Sequence, residues 1–357
     1  MRPVLPVRRA VLQMRPYVPP EEGREGKLRL DFNENTAGCS PAVLRALRGL
    51  TAQRVAMYPE YQQVTAKLAR SLGVRAEELV LTNGGDDALR LVFDVFVDAG
   101  DTVVFPEPTF PMYRFFAELY GAKIVAPRFN ARMKFPVAKL LEILRRRPSV
   151  LFLANPNNPT GTLMEPKDLE RILRGATHTV VVADEAYVEF SGWSAVPWLR
   201  RYSNLIVART FSKASGLAGL RLGCLMVRKE VAEWFRRVAP PFNVNAAALF
   251  AAEAAAKNHG AIRRYVKEVK QAKAEFEKSL AKLGYRSFPS AANFLLVDFG
   301  SRGPALVRRL AKQGILLRDR SAEFGRPGPV RVTIGMRTEM HRLVMALRKL
   351  RSLREAD

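Results

Sequence analysis

Lys213 stands in the stretch TFSKASGLAGLRLG, behind the hydroxyls of Thr210 and Ser212 and ahead of small and apolar residues, with Arg221 eight positions on. A solvated surface lysine would sit among Glu and Gln, so this setting predicts an enclosed amine, available for covalent chemistry with a carbonyl. Asp184 closes the apolar run VVVAD. An unpaired carboxylate there would be costly, and the sequence predicts a cationic partner for it. In TNGGDDAL, the backbone amides around Gly84, Gly85 and Asp86 follow one β-rich run and open a helical one. That is the geometry in which a helix N-terminus cradles phosphate. NPNNPTG holds Asn157 and Asn158 in a stiff loop that would present both amides to a cleft.

These side chains need a scaffold that brings them together, and the hydrophobic pattern supplies one. ELVLT, DTVVF, SVLFLAN, TVVVAD, NLIVART and RLGCLMV read as strands, with helical stretches such as DALRLVFDVFVDAG and PMYRFFAELYG between most of them. Such alternation predicts an α/β fold with a mostly parallel central sheet. Every candidate falls near a strand end, where open α/β sheets bind ligands. Near NVNAAALFAAEAAAKN the alternation gives way to long helices. NFLLVDF, ILLRD and VRVTIG then predict a second, smaller sheet. The expected division is an N-terminal arm with part of a small domain over 1–45, a large domain over 46–250, and a C-terminal small domain over 251–357.

Composition removes several classes of function. With 357 residues and 48% hydrophobic content, the chain can bury a large core. Cys39 and Cys224 are too few for a disulfide framework and suit a reducing compartment. Pro3, Pro6 and the Arg8–Arg9 pair interrupt any signal-like core, and no run reaches the length of a membrane span, so a cytoplasmic enzyme is expected. The formal net charge is +24, but the cations are scattered along helical stretches such as IRRYVKEVKQAKAEFEKSLAKL, so no nucleic-acid partner is expected. His178, His259 and His341 fall in no motif, no metal-ligand spacing is present, and nothing supports a Ser-His-Asp triad.

One cofactor accounts for the remaining residues together. A lysine amine condenses with an aldehyde, an aspartate holds a pyridine nitrogen protonated, and a glycine loop with Thr210, Ser212 and Arg221 holds a phosphate. Pyridoxal phosphate carries all three groups. The sequence also resembles the fold-type I aminotransferases, and within them the histidinol-phosphate aminotransferase family. LDFNENTAGCSP, MYPEY, NGGDDAL, PTFPMY, NPNNPTG, DEAYVEF, TFSKASGLAGLRLG, LLRDRS and VRVTIG carry the resemblance over nearly the whole chain. It implies a large domain around the parallel sheet and a smaller α+β domain drawn from both chain ends.

Carried over by motif, the resemblance makes Lys213 the Schiff-base lysine and proton carrier, and Asp184 the partner of the ring nitrogen. It puts Asn158 and Tyr187 on the ring hydroxyl and stacks Phe110 on the ring, with Tyr113 near enough in sequence to be confused with it. Gly85, Asp86, Thr210, Ser212 and Arg221 would surround the phosphate. Tyr58 would reach across a homodimer interface into the partner's site. Arg318 and Arg331 would receive an anionic substrate, Tyr17 would close over it, and Asn33 lies in the NEN segment at the substrate side. Asp87 departs from the glutamate usual there. The implied reaction moves the amino group of L-histidinol phosphate to 2-oxoglutarate in histidine biosynthesis. Transamination of an aromatic amino acid and decarboxylation of threonine phosphate are the alternatives on the same fold. A pyridoxal-phosphate-binding regulator would carry a separate DNA-binding domain, which is not read here.

Overall fold

The computed structural model describes residues 5–17 and 23–355. Residues 1–4 and 18–22 of the expected N-terminal arm, and 356–357 of the expected C-terminal domain, lie outside them. Among the described residues twelve strands form two sheets: β1 (Leu28–Leu30), β2 (Leu79–Thr82), β3 (Thr102–Val104), β4 (Lys123–Val125), β5 (Val150–Ala154), β6 (Val180–Asp184), β7 (Leu205–Thr210), β8 (Gly223–Met226), β9 (Arg286–Ser287), β10 (Phe294–Asp298), β11 (Ile315–Asp319) and β12 (Pro329–Thr333).

The larger sheet has seven strands in the order β2-β8-β7-β6-β5-β3-β4. Strands β3 to β7 pair in parallel, whereas β8 runs antiparallel to both β2 and β7. The smaller sheet, β1-β11-β12-β10-β9, joins a strand from near the N-terminus to four from the C-terminal part. The fold is therefore the expected α/β architecture, with a small α+β unit built from both ends of the chain. β1, β4 and β9 were not among the strands expected from the sequence. At two or three residues each, they are too short for a period to show.

Side chains of β5 alternate between two apolar clusters. Leu151 and Leu153 enter one, and Val150, Phe152 and Ala154 enter the other. β6 and β7 do the same, so the sheet is buried on both faces and its strands read as unbroken apolar runs. Each large apolar side chain buried there contributes about 1.5–3 kcal/mol to holding the sheet rigid. A third cluster, with Phe276, Phe294 and Leu317, packs the small sheet against the long helix His259–Lys282 and the helix Arg337–Glu355.

The helix Gly84–Phe96 shows how local sequence aims a site. Ala88, Leu89, Val92 and Phe93 bury its apolar face. At its start the Asn83 backbone N–H donates to Asp87 Oδ2 over 2.9 Å, and Asp87 also pairs with Arg90 at 2.8 Å. The residue that departs from the usual glutamate thus braces the helix start. Among the described residues no helix is long and apolar enough to cross a membrane.

Candidate active site

Parallel pairing puts the ends of β2, β5, β6 and β7 along one edge of the sheet, and antiparallel β8 begins there. The register is tight: Ala154 pairs Asp184, Asp184 pairs Ala208, and Gly223 pairs both Thr82 and Thr210. A cavity of about 450 Å³ opens on this edge. Its wall includes Gly85, Asp86, Phe110, Asn158, Asp184, Tyr187, Thr210, Ser212, Lys213 and Arg221, and on the small-sheet side Tyr17, Arg318 and Arg331. Residues separated by more than 300 positions in sequence thus face one space.

Two glycines set the shape of one end. Gly84 has φ +85°, in the left-handed region, and a Cβ on it would meet Arg221 Nη2 at 2.7 Å. A Cβ on Gly223 would lie 2.5 Å from the Gly84 carbonyl carbon, so the two backbones approach as only glycine allows. The first-turn amides of the helix Gly84–Phe96 have no intrahelical partners and open toward this end. Beside them Thr210 Oγ1 donates to Ser212 Oγ at 2.9 Å, and the Ser212 N–H donates back to Thr210 Oγ1 at 3.2 Å. Arg221 also holds a left-handed backbone, φ 52°, and pairs with Asp86 at 3.2 Å. The cradle is made of donors: backbone amides, two hydroxyls and a guanidinium.

Asp184 sits at the floor. Among the described residues no protein cation contacts it: Tyr113 donates its hydroxyl over 2.7 Å and the Ala186 N–H donates over 3.1 Å. Burial raises the carboxyl to about 6, against the lowering effect of those two donors. Tyr113 is fully buried behind it, whereas Phe110 lines the cavity and meets Tyr113 edge-on at 5.9 Å. The two aromatics that sequence could confuse therefore have separate positions. Glu185, next in the chain, is fully matched by Arg209, Ser194 and the Ala195 N–H.

Lys213 is half-buried, and its Nζ donates to the Phe32 carbonyl at 2.9 Å. Burial brings its pKa down to about 8, with the positive charge of Arg331 acting in the same direction. Tyr187 accepts a hydrogen bond from Asn33 Nδ2 at 2.9 Å. Asn33 itself is 1% exposed and does not line the cavity. It stands behind Tyr187, with Thr333 Oγ1 donating to its side-chain oxygen at 3.0 Å. The two amides of NPNNPTG also separate. Asn157 is buried on Thr109, Thr160 and the Pro108 carbonyl, so it ties the loop down and does not face the cleft. Asn158 faces the cavity, and its Oδ1 accepts from Arg331 Nη1 at 2.6 Å.

The other end is cationic. Arg318 and Arg331 are directly paired across β11 and β12. Arg331 is 5% exposed and has no carboxylate in ion-pair contact among the described residues; it donates to Asn158 and to the Asp31 carbonyl. Asp31 is itself held by Arg24 at 2.6 and 2.8 Å. Burial lowers Arg331 to about 9, and neighbouring Arg320 lowers it further. Arg318 Nη2 lies 3.4 Å from the Tyr17 hydroxyl. Tyr58 is not part of this space: it is 80% exposed and stacks on Phe242 with ring centroids 4.5 Å apart.

Residues 25–347 match the family described as aminotransferase class I and II. A curated histidinol-phosphate aminotransferase of Symbiobacterium thermophilum is 38% identical over 96% of this chain and 98% of its own length. The chain belongs to the histidinol-phosphate aminotransferase family. A solved histidinol-phosphate aminotransferase of Sinorhizobium meliloti, in complex with pyridoxal 5'-phosphate, superposes with TM-score 0.83 at 27% identity, covering 90% of this chain and 91% of that one. An L-threonine-O-3-phosphate decarboxylase of Porphyromonas gingivalis gives TM-score 0.79 at 22% identity over 91% and 99% of the two chains, a likeness of fold alone.

The residues fit the cofactor of this aminotransferase family, pyridoxal phosphate, on three observations. Asp184 is a half-buried carboxyl with no cation in contact among the described residues, and a protonated ring nitrogen would supply one. The donor cradle suits a phosphate, and the glycine approach leaves room for one. The Lys213 amine lies in the same cavity. Sequence reasoning missed Tyr113 as the donor to Asp184, and missed Phe32, Arg209 and Arg320 on the cavity wall. For Arg320 a signal existed, since it stands two positions after Arg318 in LLRDRS, on the same face of an extended chain.

Proposed function

We propose that this chain transfers the amino group of L-histidinol phosphate to 2-oxoglutarate, giving imidazole acetol phosphate and L-glutamate, in histidine biosynthesis in the cytoplasm. One observation carries the substrate class: buried Arg331, beside Arg318 and without a carboxylate, shares a cavity with the Lys213 amine. A guanidinium in that state is a receptor for phosphate or carboxylate. The 38% identical relative named for the same reaction supports the reading.

When bound, pyridoxal phosphate supplies an electrophilic aldehyde carbon and a ring that withdraws electrons from the substrate carbon being deprotonated. The chain's own residues do the rest. Gly85 and Asp86 hold the phosphate through backbone N–H groups, because the Asp86 carboxylate is engaged with Arg221. Thr210, Ser212 and Arg221 add hydroxyl and charged donors. Asp184, aimed by Tyr113 and Ala186, would keep a proton on the ring nitrogen. Phe110 would pack on the ring, while Tyr187 and Asn158 would hold the ring oxygen. Lys213, whose pKa burial lowers to about 8, would accept the proton from the substrate carbon and pass it on. Arg318 and Arg331 hold the anionic end, and Tyr17 covers it. Asn33 acts through Tyr187, by fixing where its hydroxyl points.

The homodimer belongs to the same proposal. Tyr58 and Phe242 form an exposed aromatic pair outside their own cavity, and Tyr58 would complete the partner's. The deciding experiment measures kcat/KM for histidinol phosphate, histidinol and phenylalanine with 2-oxoglutarate, and carbon dioxide release from threonine phosphate. Histidinol phosphate should exceed histidinol by about 10-fold or more, the worth of one charge-assisted contact. Equal use of the two would remove the phosphate pocket. Preference for phenylalanine, or release of carbon dioxide, would move the protein to one of the alternative reactions.

A further inference from the structure

Arg320 has no part in the scheme above, yet it lines the same cavity and is 4% exposed. Its Nη1 lies 2.5 Å from Glu323 Oε1 and its Nη2 lies 3.5 Å from Asn158 Oδ1, the atom that also accepts from Arg331. The Nε atoms of Arg320 and Arg331 are both buried without a partner. Two guanidinium groups thus converge on one amide oxygen, with unspent donors on each.

Charge sharpens the point. Arg318, Arg320 and Arg331 bring three positive charges, and among the described residues only Glu323 is in ion-pair contact with any of them. Two positive charges remain unmatched and the third is held by Glu323 alone, so displacing that carboxylate would turn all three cations toward a phosphate monoester, a dianion above its second pKa of about 6. Glu323 is poorly anchored by comparison. Its side chain is 31% exposed and sits on the single turn Ser321–Phe324, so it can move toward water without unpacking a core.

We propose that Arg320 is a third ligand of the substrate's dianionic head group, with Glu323 as the counterion it releases when that group arrives. This rests on the reading that places the anionic end of the substrate at β11 and β12. Arg320 then makes a contact that depends on the phosphate, and Glu323 competes with the phosphate for it. The rival is a brace, in which the Arg320–Glu323 pair only holds the turn after β11.

The test uses the dimeric, cofactor-loaded enzyme and the variants Arg320→Gln, Arg320→Lys and Glu323→Gln. Binding of phenyl phosphate is measured by calorimetry, and kcat and KM are measured for histidinol phosphate and histidinol. Arg320→Gln should weaken phenyl phosphate and raise the KM for histidinol phosphate about 10- to 100-fold, the range of a lost charge-assisted pair. Its kcat, and its use of histidinol, should stay within about 3-fold, as for uniform binding. Arg320→Lys should recover part of the loss, since charge returns without the planar fork. Glu323→Gln should act in the opposite direction and tighten phenyl phosphate. Parallel losses in Arg320→Gln and Glu323→Gln, equal for histidinol phosphate and histidinol, would establish the brace and overturn the proposal. If the wild-type enzyme used both substrates equally, the functional reading would fail. The phenyl phosphate titration would still decide Arg320, because unchanged binding in Arg320→Gln and Arg320→Lys overturns it. If Arg320→Gln does not fold, Arg320→Lys and Glu323→Gln carry the same comparison.

Discussion

The large-sheet and small-sheet sides of the cavity each carry, among the described residues, a charged group without an ion-pair partner, an acid on one side and a guanidinium on the other. On the large sheet, Asp184 is a carboxyl with a phenol and an amide for company, raised by burial to about 6. On the small sheet, Arg331 is a buried guanidinium lowered to about 9. Lys213 lines the same cavity, lowered by burial to about 8. A structural ion pair looks different: Glu185, adjacent to Asp184, is closed by Arg209 with Oε2 to Nη2 at 2.8 Å. Burial of an unmatched charge costs stability, so such groups persist where a ligand completes them. The comparison assigns the large-sheet end to a ligand with a cationic nitrogen and a phosphate, and the small-sheet end to an anion.

Substitutions can break this comparison at either end or between them. Lys213→Ala should have the largest effect, lowering turnover about 10⁴-fold or more in a single-turnover assay, since it removes the proton carrier as well as the amine. Retained turnover would place the proton transfer elsewhere. Asp184→Asn keeps the shape and removes the anion, and should lower kcat by about 10²- to 10³-fold. It also tests the charge argument by pH. Without cofactor, the folded carboxyl keeps its proton up to about pH 6 whereas the unfolded one loses it near 3.8. In that window the folded state binds more protons, so the contribution of Asp184 to stability falls as pH rises. Denaturant unfolding of cofactor-free wild type should show this decline, and Asp184→Asn should lack it.

At the other end, Arg331→Gln should lower kcat/KM for histidinol phosphate about 10- to 100-fold and affect the use of histidinol much less. Equal losses for the two substrates would mean that Arg331 does not receive the phosphate. Gly223→Ala should have the smallest effect on chemistry. Its Cβ would press on the Gly84 backbone at 2.5 Å, costing about 1–3 kcal/mol in thermal unfolding and weakening cofactor binding ahead of substrate binding. Weakened substrate binding with normal cofactor affinity would show that the glycine approach does not shape the phosphate cradle.

Much of this was legible in the sequence because it is local. The apolar runs of β2, β3, β5, β6, β7 and β8 depend on burial on both faces, and burial on both faces writes itself as Val, Leu and Ile. Gly84 and the helix start after it, the hydroxyls before Lys213, and Asp184 at a strand end are likewise encoded within a few residues. Tertiary structure alone decided who meets whom. Tyr113 reaches Asp184 across 71 positions, Asn33 reaches Tyr187 across 154, and Arg331 reaches Asn158 across 173. The sequence set Asp184 at the end of an apolar strand and so raised the expectation of a cation. Packing added a phenol as its side-chain hydrogen-bond partner, and burial raised its pKa to about 6. Asn157 and Asn158 are neighbours with the same amide, yet the turn of the loop buries one on Thr109 and sends the other to the cavity. The physical reason is one of range. Periodicity and capping are set by neighbours along the chain, whereas the partner of a buried polar group is set by which strands and helices are brought within about 3 Å of it.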